Sequence, residues 1–158
     1  MNAIMRFRER FSRFLIATLW ANAAVLAVGT PASSPLHSPA IALAGVALAV
    51  LGTMIWRIDR TGWVTRQISS IATMGQVMLL VYAFAGHPYQ SDMHMYFFAM
   101  LAVLAGWLDW RIFLPATLAI TAHHLVLSFV NSMGVFPGGG DLRRALLHGA
   151  IVAVQAVV

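Results

Sequence analysis

Four histidines, His94, His123, His124 and His148, lie within long apolar runs of the sequence. An imidazole in such surroundings needs a partner, because an unpaired polar group taken out of water is costly. Titratable groups inside apolar segments are rare and are functional by default. Neutral imidazole is a ligand for copper, iron, zinc and nickel. His94, His124 and His148 are therefore expected to hold a transition metal, copper or iron, as a bare ion or within haem. His123 and Asp92 follow as a fourth ligand or as a group that orients a ligand. Met93 and Met95 flank His94 with thioether sulfur, which favours copper or an axial position on haem iron. The alternative for all four imidazoles is plain packing, closed by hydrogen bonds to one another.

Spacing separates these histidines. Thr117, Thr121, His124, Ser128 and Asn131 recur at steps of four, three, four and three, which is one stripe of a helix. That stripe turns His124 inward and rotates His123 by about 100° from it. Asp141, Arg144, His148 and Gln155 form a comparable stripe, as do Ser69, Thr73 and Gln76. His124 lies seven residues from Asn131, and His148 seven from Asp141, each about 10 Å of helix rise. His94 opens its own apolar run, so the three imidazoles are expected at similar depth. Asn131, Arg144, Gln155 and Tyr96, with the two methionines, are the expected supporting groups around the ligands.

The elements that must position these residues follow from composition. The chain has 158 residues, is 60% hydrophobic and only 9% charged, with mean hydropathy +0.80. Water-facing domains carry about 25% charge. The expected fold is all-α, a single integral membrane bundle of about six transmembrane helices. The spans run near Phe14 to Val28, Ala40 to Trp56, Gln67 to Ala85, Met93 to Leu108, Ile112 to Val130, and from Arg143 onward. The basic N-terminus and first apolar run also fit a signal peptide, but the regular recurrence of further spans favours a membrane helix.

Every basic residue is arginine, and the net charge is +5. The arginines separate apolar segments and form no stripe, which argues against nucleic acid as a partner and leaves the lipid bilayer. With the N-terminus cytoplasmic, Arg6, Arg8, Arg10, Arg13, Arg57, Arg60, Arg66 and Arg111 fall inside, and Arg143 and Arg144 outside. The histidines then sit near the outer face and both termini are cytoplasmic. The chain ends in apolar sequence at Val158, so a cytoplasmic output domain is expected beyond it. Asp109 and Arg111 are expected to form a local ion pair, and Trp20, Trp56, Trp63, Trp107 and Trp110 an interfacial belt. The absence of cysteine removes thiol chemistry. Gly138 to Gly140 lacks the lysine of a phosphate loop and reads as a turn.

The strings Asp92 to Phe98, Asp109-Trp110-Arg111, His123-His124-Leu125, Phe136-Pro137 and Arg144 to His148 resemble a multi-pass transmembrane sensory region. That region stands at the N-terminus of bacterial methyl-accepting chemotaxis proteins and related signalling proteins. The resemblance spans the third to sixth apolar segments. It implies signal input from the inner membrane of a bacterium to a cytoplasmic output domain, and a homodimer through that domain. The family pattern has an acidic residue where this sequence has Gln155. The methionine-histidine string is also similar to the MHYT sensory domain, without its Tyr-Thr half.

The sequence thus points to a sensor module and not to an enzyme. A membrane metalloenzyme activating oxygen would need more histidines and carboxylates than these. A small transporter using the histidines as a proton or ion path would be short of spans and shows no inverted repeat.

Overall fold

A computed structural model describes residues 2–34, 38–136 and 142–157. His37, Pro137, Gly138 to Gly140 and Asp141 lie outside the described residues. Six helices account for most of the described residues: α1 (Ala3–Ala24), α2 (Pro39–Ile58), α3 (Trp63–Ala83), α4 (Gln90–Leu104), α5 (Phe113–Val130) and α6 (Leu142–Val157). No strand occurs among the described residues. The fold is all-helical, as expected. Among the described residues, three segments are long and apolar enough to cross a membrane: Ala3–Gly29, Pro39–Ile58 and Trp110–Val130.

Local chemistry sets the helix ends. Asn2 caps α1 by accepting the Met5 amide at 2.9 Å, and Ser38 caps α2 ahead of Pro39. A π-helical turn, Val25–Gly29, prolongs α1. The α4 helix tightens into a 3-10 turn at Ala105–Trp107, then breaks at Leu108, whose φ of 50° is left-handed. Asp109 restarts the chain by accepting the Arg111 amide.

The α3 helix runs through the middle, packed on α1, α2, α4 and α5. Its polar stripe is buried: Ser69, Thr73 and Gln76 are each 1% exposed or less. A helix surrounded by other helices has no need of a fully apolar surface, which is why α3 falls below the hydropathy of α2. Gln76 ties three helices together, since its Nε2 donates to Leu19 O and Gly45 O, both at 2.9 Å. The core joins Leu15, Val77, Phe97, Leu104, Trp107, Ile120 and Val152, which come from α1, α3, α4, α5, α6 and the 3-10 turn. Leu43, Met54, Leu118, Val126, Phe129 and Val154 stand outward and exposed.

The connections fall at two ends. At one, Arg8 donates to Trp107 O and Leu108 O at 2.8 Å, and Glu9 pairs with Arg13 and Arg60. Asp109 pairs across helices with Arg66 at 2.8 Å, not with Arg111 along the chain. The 3-10 turn after Asp109 commits its Oδ1 to the Arg111 backbone, leaving Oδ2 facing α3. Trp107 is fully buried against Phe11, with ring centroids 5.2 Å apart, and belongs to the core, not to an interfacial belt. At the other end, Ser34 donates to Ala85 O and Gln90 to Met133 O.

Candidate functional site

Three helices bring His94, His124 and His148 together at the second end. His94 lies in the second turn of α4, His124 two turns before the end of α5, and His148 in the second turn of α6. The ring centroids are 5.0 Å apart for His94–His124, 5.2 Å for His94–His148 and 5.7 Å for His124–His148. The polar stripe of α5 turns His124 inward as expected, leaving it 3% exposed.

Hydrogen bonds fix the ring nitrogens. His124 Nδ1 faces Ile120 O at 2.8 Å, and His148 Nδ1 faces Arg144 O at 2.9 Å. A carbonyl only accepts, so both Nδ1 atoms carry the proton and both neutral rings keep a lone pair on Nε2. His124 Nε2 meets His94 Nε2 at 2.9 Å. Either His94 Nε2–H donates across this contact, or two lone pairs face each other and a cation must lie between them. In the first case His94 Nδ1, buried with no hydrogen-bond partner, is a stranded acceptor. In the second, that nitrogen carries the ring's proton.

Phenylalanines enclose the imidazoles. Phe97 lies 5.7 Å from His94 and 5.5 Å from His124. Phe136 is 5.8 Å from His94, 5.8 Å from His124 and 5.0 Å from His148. Phe97 follows His94 by three residues, so helical spacing alone could have placed it on the same face. Phe136 sits in a loop, where no periodicity announces it.

A cavity of about 420 Å³ opens beside the rings between α4 and α6. Ser91, His94, Met95 and Phe98 form one wall, Arg144 and His148 the other, and Phe136 lines it as well. The Arg144 guanidinium stands 6.0 Å over the Phe136 ring. Gln155 Nε2 donates to Phe98 O at 3.2 Å and links the two walls.

The other sequence candidates occupy separate places. His123 is rotated out of the trio, 5.3 Å from the His124 ring and 6.1 Å from Phe97, with its Nδ1 buried and unbonded. Asp92 is exposed, and two residues of helix turn it about 200° from His94. Met95 lines the cavity, whereas Met93 packs into the core. Tyr96 donates to Asn22 Oδ1 at 2.9 Å, joining α4 to α1. Asn131 ends α5 and accepts the Gly134 amide. Gln155 lies seven residues beyond His148, about 10 Å of helix rise from the imidazoles.

Two nitrogens on one first-row ion, bonded at about 2.0 Å, stand roughly 2.8–3.4 Å apart when adjacent and about 4 Å apart when opposite. The His94–His124 separation fits adjacent positions. It does not fit two axial ligands on opposite faces of a haem. Among the described residues no three His, Asp or Glu side chains already close on one point. No protein-family model, curated protein or solved structure matches this chain.

Proposed function

We propose that the chain is a six-span membrane sensor module whose outer-end histidines, His94, His124 and His148, hold a transition-metal ion. Copper and iron suit an imidazole set of this kind. The observation that carries the reading is the nitrogen arrangement. Two Nδ1–H groups donate to backbone carbonyls of their own helices, and the Nε2 atoms of His94 and His124 approach within 2.9 Å. Histidines that bind metals are oriented in this way, with the remote N–H fixed by a carbonyl or carboxylate. Closing the set needs His148 to swing its Nε2 toward the pair.

The residues of this chain then transmit the state of the site. The ion supplies a ligand-binding or redox-active centre; the protein supplies the geometry. His94 rides on α4 and His148 on α6, so a change in their separation moves one helix against the other. The Gln155–Phe98 hydrogen bond lies between the site and the inner end of α6. The last helix carries the shift toward the cytoplasmic side, where the resemblance to chemotaxis receptors puts an output domain. The arginine distribution, and an outward surface of Leu43, Leu118, Val126 and Phe129, support the membrane setting and the orientation with both termini inside.

Elemental analysis and a visible spectrum of the purified protein, beside His124→Ala, test the reading. About one copper or iron per chain is expected in the parent and a small fraction of that in the variant. Equal, negligible metal in both, after reconstitution with each metal, overturns it. A Soret band would assign haem instead of the bare ion. Coupling is read by spin labels on α4 and α6, whose separation is expected to change on metal loading.

A further inference from the structure

The end of the bundle opposite the histidines carries a charge that its own ion pairs do not cancel. The start of α1, the α2–α3 connection and the α4–α5 connection meet there, joined by Arg60 to Glu9, Arg66 to Asp109, and Arg8 to the Trp107 and Leu108 carbonyls. The eight arginines of these segments face three carboxylates, Glu9, Asp59 and Asp109, an excess of five positive charges. Glu9 already serves Arg13 and Arg60, Asp109 serves Arg66, and Asp59 accepts the Thr61 and Gly62 amides. Arg10 is exposed and enters none of the ion pairs among the described residues. It shares one stripe of α1 with Ala3, Phe7 and Phe14, at steps of four, three and four. Phe7 is 47% exposed and Phe14 54%. A hollow of about 180 Å³ lies against Arg10, bounded by Ala3, Arg6 and Phe7.

We propose that this face of α1 binds an anionic phospholipid, with its phosphate on Arg10 and its acyl chain along Phe14. The proposal rests on the membrane setting above and is independent of the metal. Helix length supplies the depth. The apolar segment Ala3–Gly29 has 27 residues, whereas about 20 span the hydrocarbon layer. Counting about 20 back from Gly29 puts Arg10 at the hydrocarbon boundary, level with the lipid phosphates, and Phe14 one turn inside it. A guanidinium there meets a phosphate through two parallel N–H groups. The surplus charge around it favours a lipid of net negative charge over a zwitterionic one. An aromatic ring on each side of the cation gives the surface the mixed character of an amphiphile, which a soluble anion would not match.

Phosphatidylglycerol and phosphatidylcholine are the probes, titrated into the full chain in detergent and counted by native mass spectrometry. The first phosphatidylglycerol is expected to bind more tightly than the first phosphatidylcholine. Arg10→Gln is expected to weaken it about fivefold, the weight of one cation beside an anionic surface, and Arg10→Lys to keep most of it. Arg143→Gln, at the histidine end, should leave it unchanged. Soluble glycerol phosphate should not displace it. Equal binding of the two lipids by the parent, or an Arg10→Gln affinity equal to the parent's, overturns the proposal. An equal loss in Arg143→Gln overturns it too, since the preference would then belong to no particular end. Displacement by glycerol phosphate also overturns it, because the hollow would then take the headgroup alone. A chain that stays monodisperse without detergent removes the membrane setting, and this proposal with it. The metal content of the same samples reads the histidine site separately.

Discussion

His94 Nε2 and His124 Nε2 stand 2.9 Å apart across the α4–α5 interface. His124 cannot rotate away to relieve the contact, because its Nδ1–H is fixed to Ile120 O and Phe97 and Phe136 flank its ring. The pair is therefore either an imidazole–imidazole hydrogen bond or two ligands of one ion. Acid separates these two cases. A metal held by imidazoles is displaced as they take up protons. Metal release on acidification is expected with uptake of two to three protons per ion, measured by potentiometry; uptake of none contradicts coordination by these rings.

Gln76 gives a sharper prediction about the fold. Its Nε2 donates to carbonyls of α1 and α2, and its Oε1 is buried with no partner. Gln76→Leu removes two hydrogen bonds but also a stranded acceptor, so its cost is expected near 1 kcal/mol. Gln76→Glu instead sets a carboxyl oxygen against two carbonyls and is expected to cost several kcal/mol more. Thermal unfolding of the two variants in one detergent checks the order. Equal stability contradicts the assigned donor geometry.

The Arg66–Asp109 pair is largely buried, with side chains 14% and 9% exposed. Asp109→Asn leaves the arginine charge without its counter-ion and is expected to cost about 3–5 kcal/mol. The double variant Arg66→Met with Asp109→Asn should recover more than half of that. A double-variant cycle on unfolding free energies measures the coupling, and additive losses contradict the pair.

Much of this was legible in the sequence, and the parts that were not share a cause. Apolar run length located α2 to α6 within about four residues at each end, because burial of the backbone and burial of apolar side chains impose the same segments; α1 begins at Ala3, well before the expected Phe14, because its first turns are rich in arginine and carry no apolar run. The stripe Thr117, Thr121, His124, Ser128 separated His124 from His123 correctly in direction. The Asp109 partner was not legible, since spacing favours the neighbour Arg111 and only the folded turn presents Arg66. Phe136 escaped for the same reason: a loop residue has no periodic face. Trp107 reads as interfacial by its position at a span end, but the 3-10 turn swings it inward onto Phe11. Whether the spans number six was not decided by hydropathy either, because α3 is polar where it is most buried and α4 is only 15 residues long.

Close packing at that same turn is also testable. A Cβ at Gly106 would lie 2.6 Å from Cδ2 and 2.8 Å from Cζ of Phe11, a ring already wedged on Trp107. Gly106→Ala is expected to cost about 1–3 kcal/mol, as overpacking does. Gly106→Ala with Phe11→Leu should recover part of the loss. A stabilised single variant contradicts the close approach of α1 to the α4 terminus.

The most direct test of the account is X-ray absorption at the metal edge of the purified, copper-loaded chain, beside His94→Ala, His124→Ala and His148→Ala. The prediction is three imidazole nitrogens at about 2.0 Å in the parent, with lower copper affinity in every variant and one fewer nitrogen in any that keeps its metal. A parent that binds no copper or iron above the level of His124→Ala, or a nitrogen count that none of the three substitutions changes, would contradict it.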